Sequence, residues 1–190
     1  MKMVIGLTGL AGSGKTTVAK YLKEKYGYEF LTLSDIIKEE IARRGLSDGE
    51  TLEEQKRYQS NFADEWRKET GKMEIVAIKM IEKVNSMKLK KAVIDGFRSP
   101  AEVDLFRNAF PHFKLIYVST DFETRFKRRL KDDPTAKKEK MQERDKMDIE
   151  KKGLQEVIDM ADFILDNNGT LKDLQHQTDV IVEGTSTVRD

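Results

Sequence analysis

The sequence predicts a three-layer α/β fold in which helices cover both faces of a five-stranded parallel β-sheet. Three observations support this class. Short apolar runs alternate with longer segments of helical periodicity, an order typical of parallel strands joined by helices. No internal repeat or low-complexity linker interrupts this order over 190 residues, which predicts a single domain. A glycine-rich segment also joins the first predicted strand to the first predicted helix.

The predicted elements follow one another with short connections. Strands are expected at residues 3–8, 28–33, 92–95, 113–118 and 161–165. Helices are expected at residues 16–26, 36–44, 51–70, 73–87, from 100 onwards, 122–130, 154–160 and 171–178. Residues 131–148 are almost wholly charged and predict a solvated helical surface. Residues 180–190 predict either an edge strand or a frayed tail.

Residues typical of helix ends support these boundaries. Gly27 is expected to end the first helix, because glycine readily adopts the left-handed conformation of a C-terminal cap. Ser34 or Asp35 is expected to cap the helix that follows the second strand. Thr51 and Glu54 have the spacing of a capping box, which predicts the start of a long polar helix.

Residues 9–16 match the pattern G-x-x-x-x-G-K-[ST] between a predicted strand and a predicted helix. Its glycines allow the backbone to turn sharply and approach an anion, and the loop amides then favour phosphate. Lys15 is expected to reach the β- and γ-phosphates of ATP, and the Thr16 hydroxyl to ligate Mg²⁺. The ATP-binding residues predicted here are Gly9, Ala11, Gly12, Ser13, Gly14, Lys15, Thr16 and Thr17.

Further polar residues follow predicted strands at the sheet edge where ligands of parallel α/β folds bind. Asp95 ends a buried strand, and its carboxylate is expected to hold Mg²⁺ through water. Arg98 lies three residues later and can clamp a phosphate or a carboxylate. Asp35 and Lys38 follow the second strand and are expected on the acceptor side. There Asp35 would position the acceptor, or act as a base toward a hydroxyl.

A basic segment near residues 125–144 suits phosphoryl transfer, in which negative charge spreads over the transferred group. An arginine-bearing flap would stabilise that charge and exclude water. One or more of four arginines is expected to face phosphate; these are Arg125, Arg128, Arg129 and Arg144. The predicted catalytic set is Lys15, Asp35, Arg98, Arg129 and Arg144.

The composition excludes several function classes. No cysteine occurs, which rules out disulfides and thiolate chemistry and suits a reducing compartment. The net charge of +1 gives no reason to expect nucleic acid or an anionic membrane as a partner. The two histidines stand far apart, so a zinc site is not expected. No apolar run approaches a membrane span and none is interpreted as a signal peptide, so a cytoplasmic location is expected.

Several segments resemble known kinase families. Residues 95–98, D-G-F-R, resemble the D-G-F-P-R segment of adenylate kinases without its proline. Residues 34–38, S-D-I-I-K, resemble their G-D-[ML]-[LI]-R segment, with lysine in place of arginine. Residues 161–171 resemble the A-D-x-[VI]-[IL]-[DN]-N-x-G-[ST]-L stretch of dephospho-CoA kinases, which lies by the adenine of ATP in that family. On residues 95–103 and the E-R-D at 143–145, the chain most resembles an uncharacterised archaeal family related to both.

The resemblance implies the nucleoside-monophosphate-kinase branch of the P-loop NTPase fold, with five parallel strands at its core. It implies one kinase domain over residues 1–179, followed by a C-terminal tail at 180–190. Within that domain it implies a helical acceptor-binding insert at about residues 36–88 and a lid at about 128–150. Independently of the resemblance, Tyr58, Phe62 and Trp66 on the polar helix are expected to pack beneath the insert, with a partner contact or the acceptor pocket as alternatives.

The resemblance also extends the predicted binding residues. It adds Asn167 to the ATP-binding set and Arg67 to the acceptor-binding set. The acceptor-binding residues are thus Asp35, Lys38, Arg67 and Arg98. Lysine at position 38 and the missing proline depart from the adenylate kinase pattern, so the donor is better defined than the acceptor.

Together these features predict an ATP- and Mg²⁺-dependent phosphotransferase for a small phosphate- or hydroxyl-bearing acceptor, in the first place a nucleotide or nucleoside monophosphate. A dephospho-CoA kinase is an alternative, which the segment around Asn167 favours and residues 95–98 disfavour. A nucleotide-binding regulatory ATPase without an acceptor is an alternative of another class. The absence of a guanine-reading N-K-x-D segment weakens its GTPase version. The oligomeric state stays open.

Overall fold

The computed structural model describes residues 2–150 and 153–186. Within these residues, five strands form one parallel sheet in the order β2-β3-β1-β4-β5. The strands are β1 Met3–Thr8, β2 Glu29–Thr32, β3 Lys91–Asp95, β4 His112–Ser119 and β5 Phe163–Asp166. The predicted α/β class and five-stranded parallel sheet are therefore confirmed.

Helices fill the connections between these strands. They are α1 Lys15–Tyr26, α2 Leu33–Arg43, α3 Leu52–Thr70, α4 Ile75–Ser86, α5 Pro100–Ala109, α6 Phe122–Asp132, α7 Lys138–Glu150, α8 Leu154–Asp159 and α9 Leu171–Ser186. Gly27 adopts a φ of 70° at the end of α1, which confirms the predicted left-handed cap. None of the helices in the described part of the chain combines the length and apolar character that crossing a membrane requires.

Alternating side chains of the sheet enter two hydrophobic clusters, one on each face. In β1, Val4 belongs to one cluster, whereas Ile5 and Leu7 belong to the other. The first cluster includes residues of α2, α3, α4 and α5, and the second includes residues of α1 and α9. Because successive strand side chains point to opposite faces, a sheet covered on both sides needs apolar residues at consecutive positions. The consecutive residues 92–94 of β3 meet this need and are at most 1% exposed.

The insert between β2 and β3 consists of α2, α3 and α4. The capping box predicted for Thr51 and Glu54 is present at the start of α3. Phe62 and Trp66 are 6% and 5% exposed and belong to the first cluster, with Tyr58 packed against it. The expectation that these aromatic residues pack beneath the insert is thus confirmed. Their large rings let a mostly polar helix bury one face.

The start of α2 corrects one prediction. The side-chain oxygen of Thr32 accepts a hydrogen bond from the Asp35 backbone N–H at 3.2 Å. The Asp35 carboxylate in turn accepts one from the Thr32 backbone N–H at 2.9 Å. Thr32 is therefore the N-cap, and the prediction that Ser34 or Asp35 caps the helix was wrong. This arrangement is favoured because the reciprocal capping box satisfies two backbone donors instead of one.

The segment predicted as the lid contains the end of α6 and all of α7. One face of α7 is less solvated than its charges predict, because Asp145 and Asp148 are 8% and 5% exposed. The prediction of a solvated surface over residues 131–148 was wrong for this face. The Asp145 carboxylate pairs with Arg125 of α6, and Asp148 lies 4.0 Å from Arg144 on its own helix. Such contacts compensate for the loss of hydration.

The last helix extends further than predicted. Residues 180–186 continue α9, so both an edge strand and a frayed tail were wrong for them. Val182 is 2% exposed in the second cluster, and the Tyr26 hydroxyl donates to Glu183 at 3.1 Å. These contacts with α1 give the helix a buried face and extend its order. Residues 187–190 of the predicted tail lie outside the described residues.

Candidate active site

The segment between β1 and α1 adopts the conformation that its glycines predict. Gly9, Gly12 and Gly14 have φ angles of 141°, 78° and 100°, a region that favours glycine. At Gly9, an ideal Cβ would also lie 2.6 Å from the carbonyl oxygen of Val118. Since α1 begins at Lys15, the free N–H groups of its first turn lie at the loop. This segment, residues 9–16, is called the phosphate loop because its shape is that of an anion-binding nest.

The side chain of Lys15 folds back over this loop. Its Nζ donates to the carbonyl oxygens of Gly9 at 2.8 Å and Leu10 at 3.1 Å. The ammonium thus lies beside the backbone that would surround a phosphate. Thr16 and Thr17, the next residues of α1, are exposed. The Thr16 hydroxyl is therefore accessible to a ligand bound at the loop.

Charges from three other segments surround the Lys15 ammonium. Burial lowers the pKa of Lys15, and the Asp95 carboxylate opposes this effect. Arg98 and Arg144 lower this pKa further, whereas Asp148 raises it. Because such charge effects require proximity, the end of β3, the loop after it and α7 all meet the phosphate loop here. The structure thus places Lys15, Asp95, Arg98 and Arg144 in one charge environment, and their roles in binding and catalysis stay predictions.

Asp95 has an oxygen that the protein itself does not satisfy. Its Oδ1 is buried and makes no hydrogen bond within the described residues. Burial raises the pKa of Asp95, while Lys15 and Arg98 act in the opposite direction. An unsatisfied buried oxygen is costly, and the water shell of Mg²⁺ would satisfy it. Asp95 and the Thr16 hydroxyl are oxygen donors of the kind that Mg²⁺ prefers, so these residues fit the ion.

This candidate Mg²⁺ site depends on more than protein ligands. In residues 2–150 and 153–186, no group of three or more His, Cys, Asp or Glu side chains could hold a metal ion. Mg²⁺ characteristically binds through one or two protein oxygens together with phosphate oxygens and waters. The donor set therefore suits an ion that arrives with a nucleotide rather than a resident metal.

Arg125, a buried residue, forms a hydrogen bond to the phosphate loop. Its guanidinium donates to the carbonyl oxygens of Ala11 and Thr120, both at 3.1 Å. It also forms a two-point pair with the Asp145 carboxylate at 2.6 and 3.1 Å. Arg125 is 3% exposed, so the pair is shielded from water. Arg125 therefore links the loop to α7 through one buried side chain.

The residues predicted to bind the acceptor fall into two groups. At the start of α2, Lys38 Nζ lies 3.3 Å from Asp35 Oδ1. Arg67 of α3 and Arg98 both act on the Glu102 carboxyl, where they oppose the rise in pKa that burial causes. Glu102 also accepts a hydrogen bond from the Arg98 backbone N–H at 2.9 Å. Glu102 was not predicted from the sequence, although its spacing from Ser99 is that of a capping box.

Comparisons with known proteins place the chain in a family. Residues 8–151 match the model of an AAA domain. A UPF0200 protein of Methanothermobacter thermautotrophicus is 32% identical over 183 residues, which cover 95% of this chain and 89% of the relative. The UPF0200 protein of Thermococcus onnurineus is 35% identical, covering 95% of this chain and 97% of the relative. The chain belongs to the UPF0200 family. The predicted resemblance to an archaeal family is thus confirmed.

One relative of the UPF0200 family is longer. A UPF0200/UPF0201 protein of Archaeoglobus fulgidus is 36% identical over 90% of this chain. The match covers only 52% of that relative, so this chain spans about half of its length.

Solved structures show the same fold. Shikimate kinase from Acinetobacter baumannii, in complex with shikimate, has a TM-score of 0.60 and 20% identity, covering 100% of this chain and 97% of that chain. Shikimate kinase from Bacteroides thetaiotaomicron has a TM-score of 0.61 and 18% identity, covering 97% and 98%. At these identities the likeness shows the fold alone. This UPF0200 member therefore has the α/β fold of P-loop kinases.

The structure separates the candidate arginines of this UPF0200 member. Arg144 lies close enough to Lys15 to affect its pKa, and its Nε is 4.0 Å from Asp148 on the same helix. Arg129 pairs with Asp133, at the end of its own helix, at 3.3 Å, and no effect of Arg129 on the pKa of Lys15 accompanies this pair. Arg128 donates to the Asn167 carbonyl oxygen at 2.8 Å. The structure thus does not bring Arg129 to the group around Lys15, and its catalytic role stays a prediction.

Two aspartates of α7 were missed by the sequence interpretation. Asp145 pairs with Arg125, and Asp148 lies in the charge environment of Lys15. Their spacing of three residues places both on one helical face, but the surrounding charged run concealed this signal. Within such a run, burial depends on the partner segment.

Proposed function

We propose that this UPF0200 member is a Mg²⁺-dependent phosphotransferase that moves the γ-phosphate of ATP to a small acceptor, with a nucleotide as the favoured acceptor. The observation that carries this proposal is that Lys15 folds over the phosphate loop, while Asp95 ends the strand that pairs with β1 at Leu7. Arg98 and Arg144 lie close enough to Lys15 to affect its pKa. Three cations and a carboxylate from separate segments suit a transferred group whose charge spreads over several oxygens. The kinase fold of the chain supports the same reaction class.

Each group has a role in this proposal. The backbone of residues 12–16 binds the donor phosphates, and Lys15 neutralises their β and γ oxygens. Thr16 and, through water, Asp95 hold Mg²⁺, which supplies further neutralisation of phosphate charge when bound. Arg98, Lys38 and Arg67 bind the acceptor. Arg144 stabilises charge on the transferred group.

The contacts of Asp35 leave both of its predicted roles possible. Its Oδ2 accepts from the Thr32 backbone N–H at 2.9 Å, and its Oδ1 lies 3.3 Å from Lys38 Nζ. Each carboxylate oxygen has a second lone pair, so Asp35 would position the acceptor or act as a base toward a hydroxyl. A nucleotide is the favoured acceptor because residues 34–38 and 95–98 resemble segments of adenylate kinases.

A panel of acceptors tests this proposal. ADP release from ATP and Mg²⁺ would be measured with nucleoside monophosphates, dephospho-CoA and shikimate, and with no acceptor. We expect release to rise well above the acceptor-free rate with at least one nucleoside monophosphate. A response to dephospho-CoA alone would favour a dephospho-CoA kinase. Slow hydrolysis that no acceptor changes would instead support a regulatory ATPase.

The remaining expectations concern cellular context. A cytoplasmic location, and the lack of nucleic acid and membrane partners, stay predictions from the sequence. The oligomeric state stays open.

Asp95→Asn is expected to lower the affinity of the enzyme–nucleotide complex for Mg²⁺. The change keeps the side-chain shape and removes the charge that would hold the water shell of the ion. Outer ligands of this kind typically contribute about 10–100-fold to metal affinity, so the half-saturating Mg²⁺ concentration should rise by a similar factor. A titration of turnover against Mg²⁺ measures this. Asp104→Asn, at an exposed position on α5, is the control and should leave the titration unchanged. An unaltered titration of Asp95→Asn would show that Asp95 does not take part in Mg²⁺ binding.

Arg98→Ala is expected to raise the acceptor KM by at least about tenfold, while the KM for ATP changes little. The exposed guanidinium follows the end of β3 and can bind an anionic acceptor with a charged hydrogen bond. Steady-state kinetics with each substrate varied in turn measures the two constants. Arg43→Ala, which removes an exposed arginine from α2, is the control. Equal changes in both constants would place Arg98 on the donor side.

A further inference from the structure

The carbonyl group of Ser13, inside the phosphate loop, accepts two side-chain hydrogen bonds. The Thr120 hydroxyl donates to it at 2.8 Å, and the Asn167 amide donates through Nδ2 at 2.7 Å. Thr120 follows β4 and Asn167 follows β5, so the donors come from the ends of two neighbouring strands. Both residues are buried. Since a carbonyl oxygen has two lone pairs, these donors satisfy it completely.

These two bonds fix the direction of a phosphate-binding group. The described chain has no cis peptide bond, so the Ser13 carbonyl and the Gly14 N–H point in opposite directions across one planar peptide. Thr120 and Asn167 hold the carbonyl toward the ends of β4 and β5. The Gly14 N–H is thereby directed away from these two side chains, which would let it donate to an anion bound by the loop amides.

Asn167 and Gly14 also fit each other sterically. An ideal Cβ on Gly14 would lie 2.1 Å from Asn167 Nδ2, a distance that no real side chain tolerates. Gly14 in addition has a φ of 100°. The glycine of the motif therefore makes room for the asparagine amide as well as for the ligand. The amide lies directly against the peptide that it orients.

The backbone of Asn167 is itself held in place. Its N–H donates to the Ser119 carbonyl oxygen at 2.8 Å, and its carbonyl oxygen accepts from Arg128 at 2.8 Å. The side chain thus projects from a fixed point on the sheet. A hydrogen bond from a preorganised group loses little conformational entropy on forming.

We propose that Asn167 is a positioning residue, which orients the phosphate loop through the Ser13 carbonyl with Thr120 as its partner donor. The resemblance to dephospho-CoA kinases predicted a contact between this residue and ATP. On the present proposal, the side-chain amide instead acts on the loop and has no contact with the adenine base. The role rests on the proposed binding of nucleotide phosphates by this loop.

A ligand that has phosphates but no adenine base distinguishes orientation of the phosphate loop from a contact with the base. Binding of ATP and of inorganic tripolyphosphate, each with Mg²⁺, would be measured by isothermal titration calorimetry. Asn167→Ala removes the hydrogen bond to Ser13, and we expect it to weaken both probes by the same factor, roughly tenfold. Asn167→Asp keeps the shape but faces the Ser13 carbonyl with an acceptor, so we expect at least the same loss. A contact to the base would weaken ATP binding alone.

Controls keep this test independent of folding and of the proposed function. Asn108→Ala, at an exposed site on α5, should bind both probes like the wild type. If Asn167→Ala unfolds, Thr120→Val removes the other donor to Ser13 and carries the same expectation for both probes. The positioning role would be overturned if Asn167→Ala lost ATP binding but kept tripolyphosphate binding. It would also be overturned if Asn167→Asp bound both probes like the wild type. Either result would leave the proposal of nucleotide binding by the wild type intact. A wild type that binds neither probe would overturn the proposed function and this role with it.

Discussion

Lys15→Ala is expected to lower turnover on the order of a thousandfold, because removal of a preorganised charge at the transferred phosphate has effects of this size. The ammonium lies beside the loop backbone and among Asp95, Arg98 and Arg144. Partial burial makes its charge more effective than it would be in water. The loss should appear mainly in kcat/KM for ATP, since Lys15 interacts with the donor phosphates.

The fold of Lys15→Ala should remain intact. Burial lowers the pKa of Lys15, which means that the folded protein holds the charged form at a cost. Alanine removes that cost together with the hydrogen bonds to Gly9 and Leu10, so the two changes offset each other. Urea unfolding should therefore give a midpoint close to that of the wild type.

Lys20→Ala is the matched control for this experiment. Lys20 is an exposed lysine of the same helix, and its removal should leave turnover unchanged. Both variants would be assayed with the best acceptor from the panel. Full activity in Lys15→Ala would contradict the proposed kinase mechanism as a whole.

The conformation of the phosphate loop could be predicted because its signals are local. The glycines, lysine and threonine of residues 9–16 lie in one segment, and their backbone requirements belong to the residues themselves. Asp95 was also predictable, since the carboxyl ends of parallel strands meet at one edge of the sheet. The structure places Asp95 beside Lys15 accordingly.

The residues that support the loop could not be predicted in the same way. Asn167 and Ser13 are separated by 154 residues, and Arg125 and Asp145 by 20. Such contacts depend on which strands become neighbours and how α7 packs. A charged run has the same pattern whether or not one face finds partners. This explains why residues 131–148 were wrongly predicted to be solvated throughout.

The prediction of helix ends was limited for a similar reason, because contacts with neighbouring elements decide where some helices begin and end. The capping box at Thr51 was predictable from spacing alone, whereas at α2 three polar residues compete for the cap. Thr32 is the N-cap because β2 ends there and because Thr32 and Asp35 exchange side-chain to backbone hydrogen bonds. Residues 180–186 likewise had only a weak pattern, and contacts with α1 determine their helical state.

Arg125→Ala is expected to lower the free energy of unfolding by about 3–5 kcal/mol, the usual cost of leaving a buried charge without its partner. Asp145 would remain shielded from water, and the carbonyl groups of Ala11 and Thr120 would lose a donor. Small domains have a total stability of only about 5–15 kcal/mol, so this loss would be plain in urea unfolding. Arg129→Ala breaks an exposed pair on the same helix and should change stability by less than about 1 kcal/mol.

A double variant separates the stability of this pair from its role at the loop. Arg125→Met combined with Asp145→Leu removes both charges and should recover most of the lost stability, since apolar residues often replace a buried pair without cost. ATP binding should be weaker than in the wild type, because no side chain then holds the Ala11 carbonyl or connects α7 to the phosphate loop. Recovery of both stability and ATP affinity would show that the pair serves packing alone. Recovery of stability without affinity would establish that Arg125 couples the position of α7 to the phosphate loop.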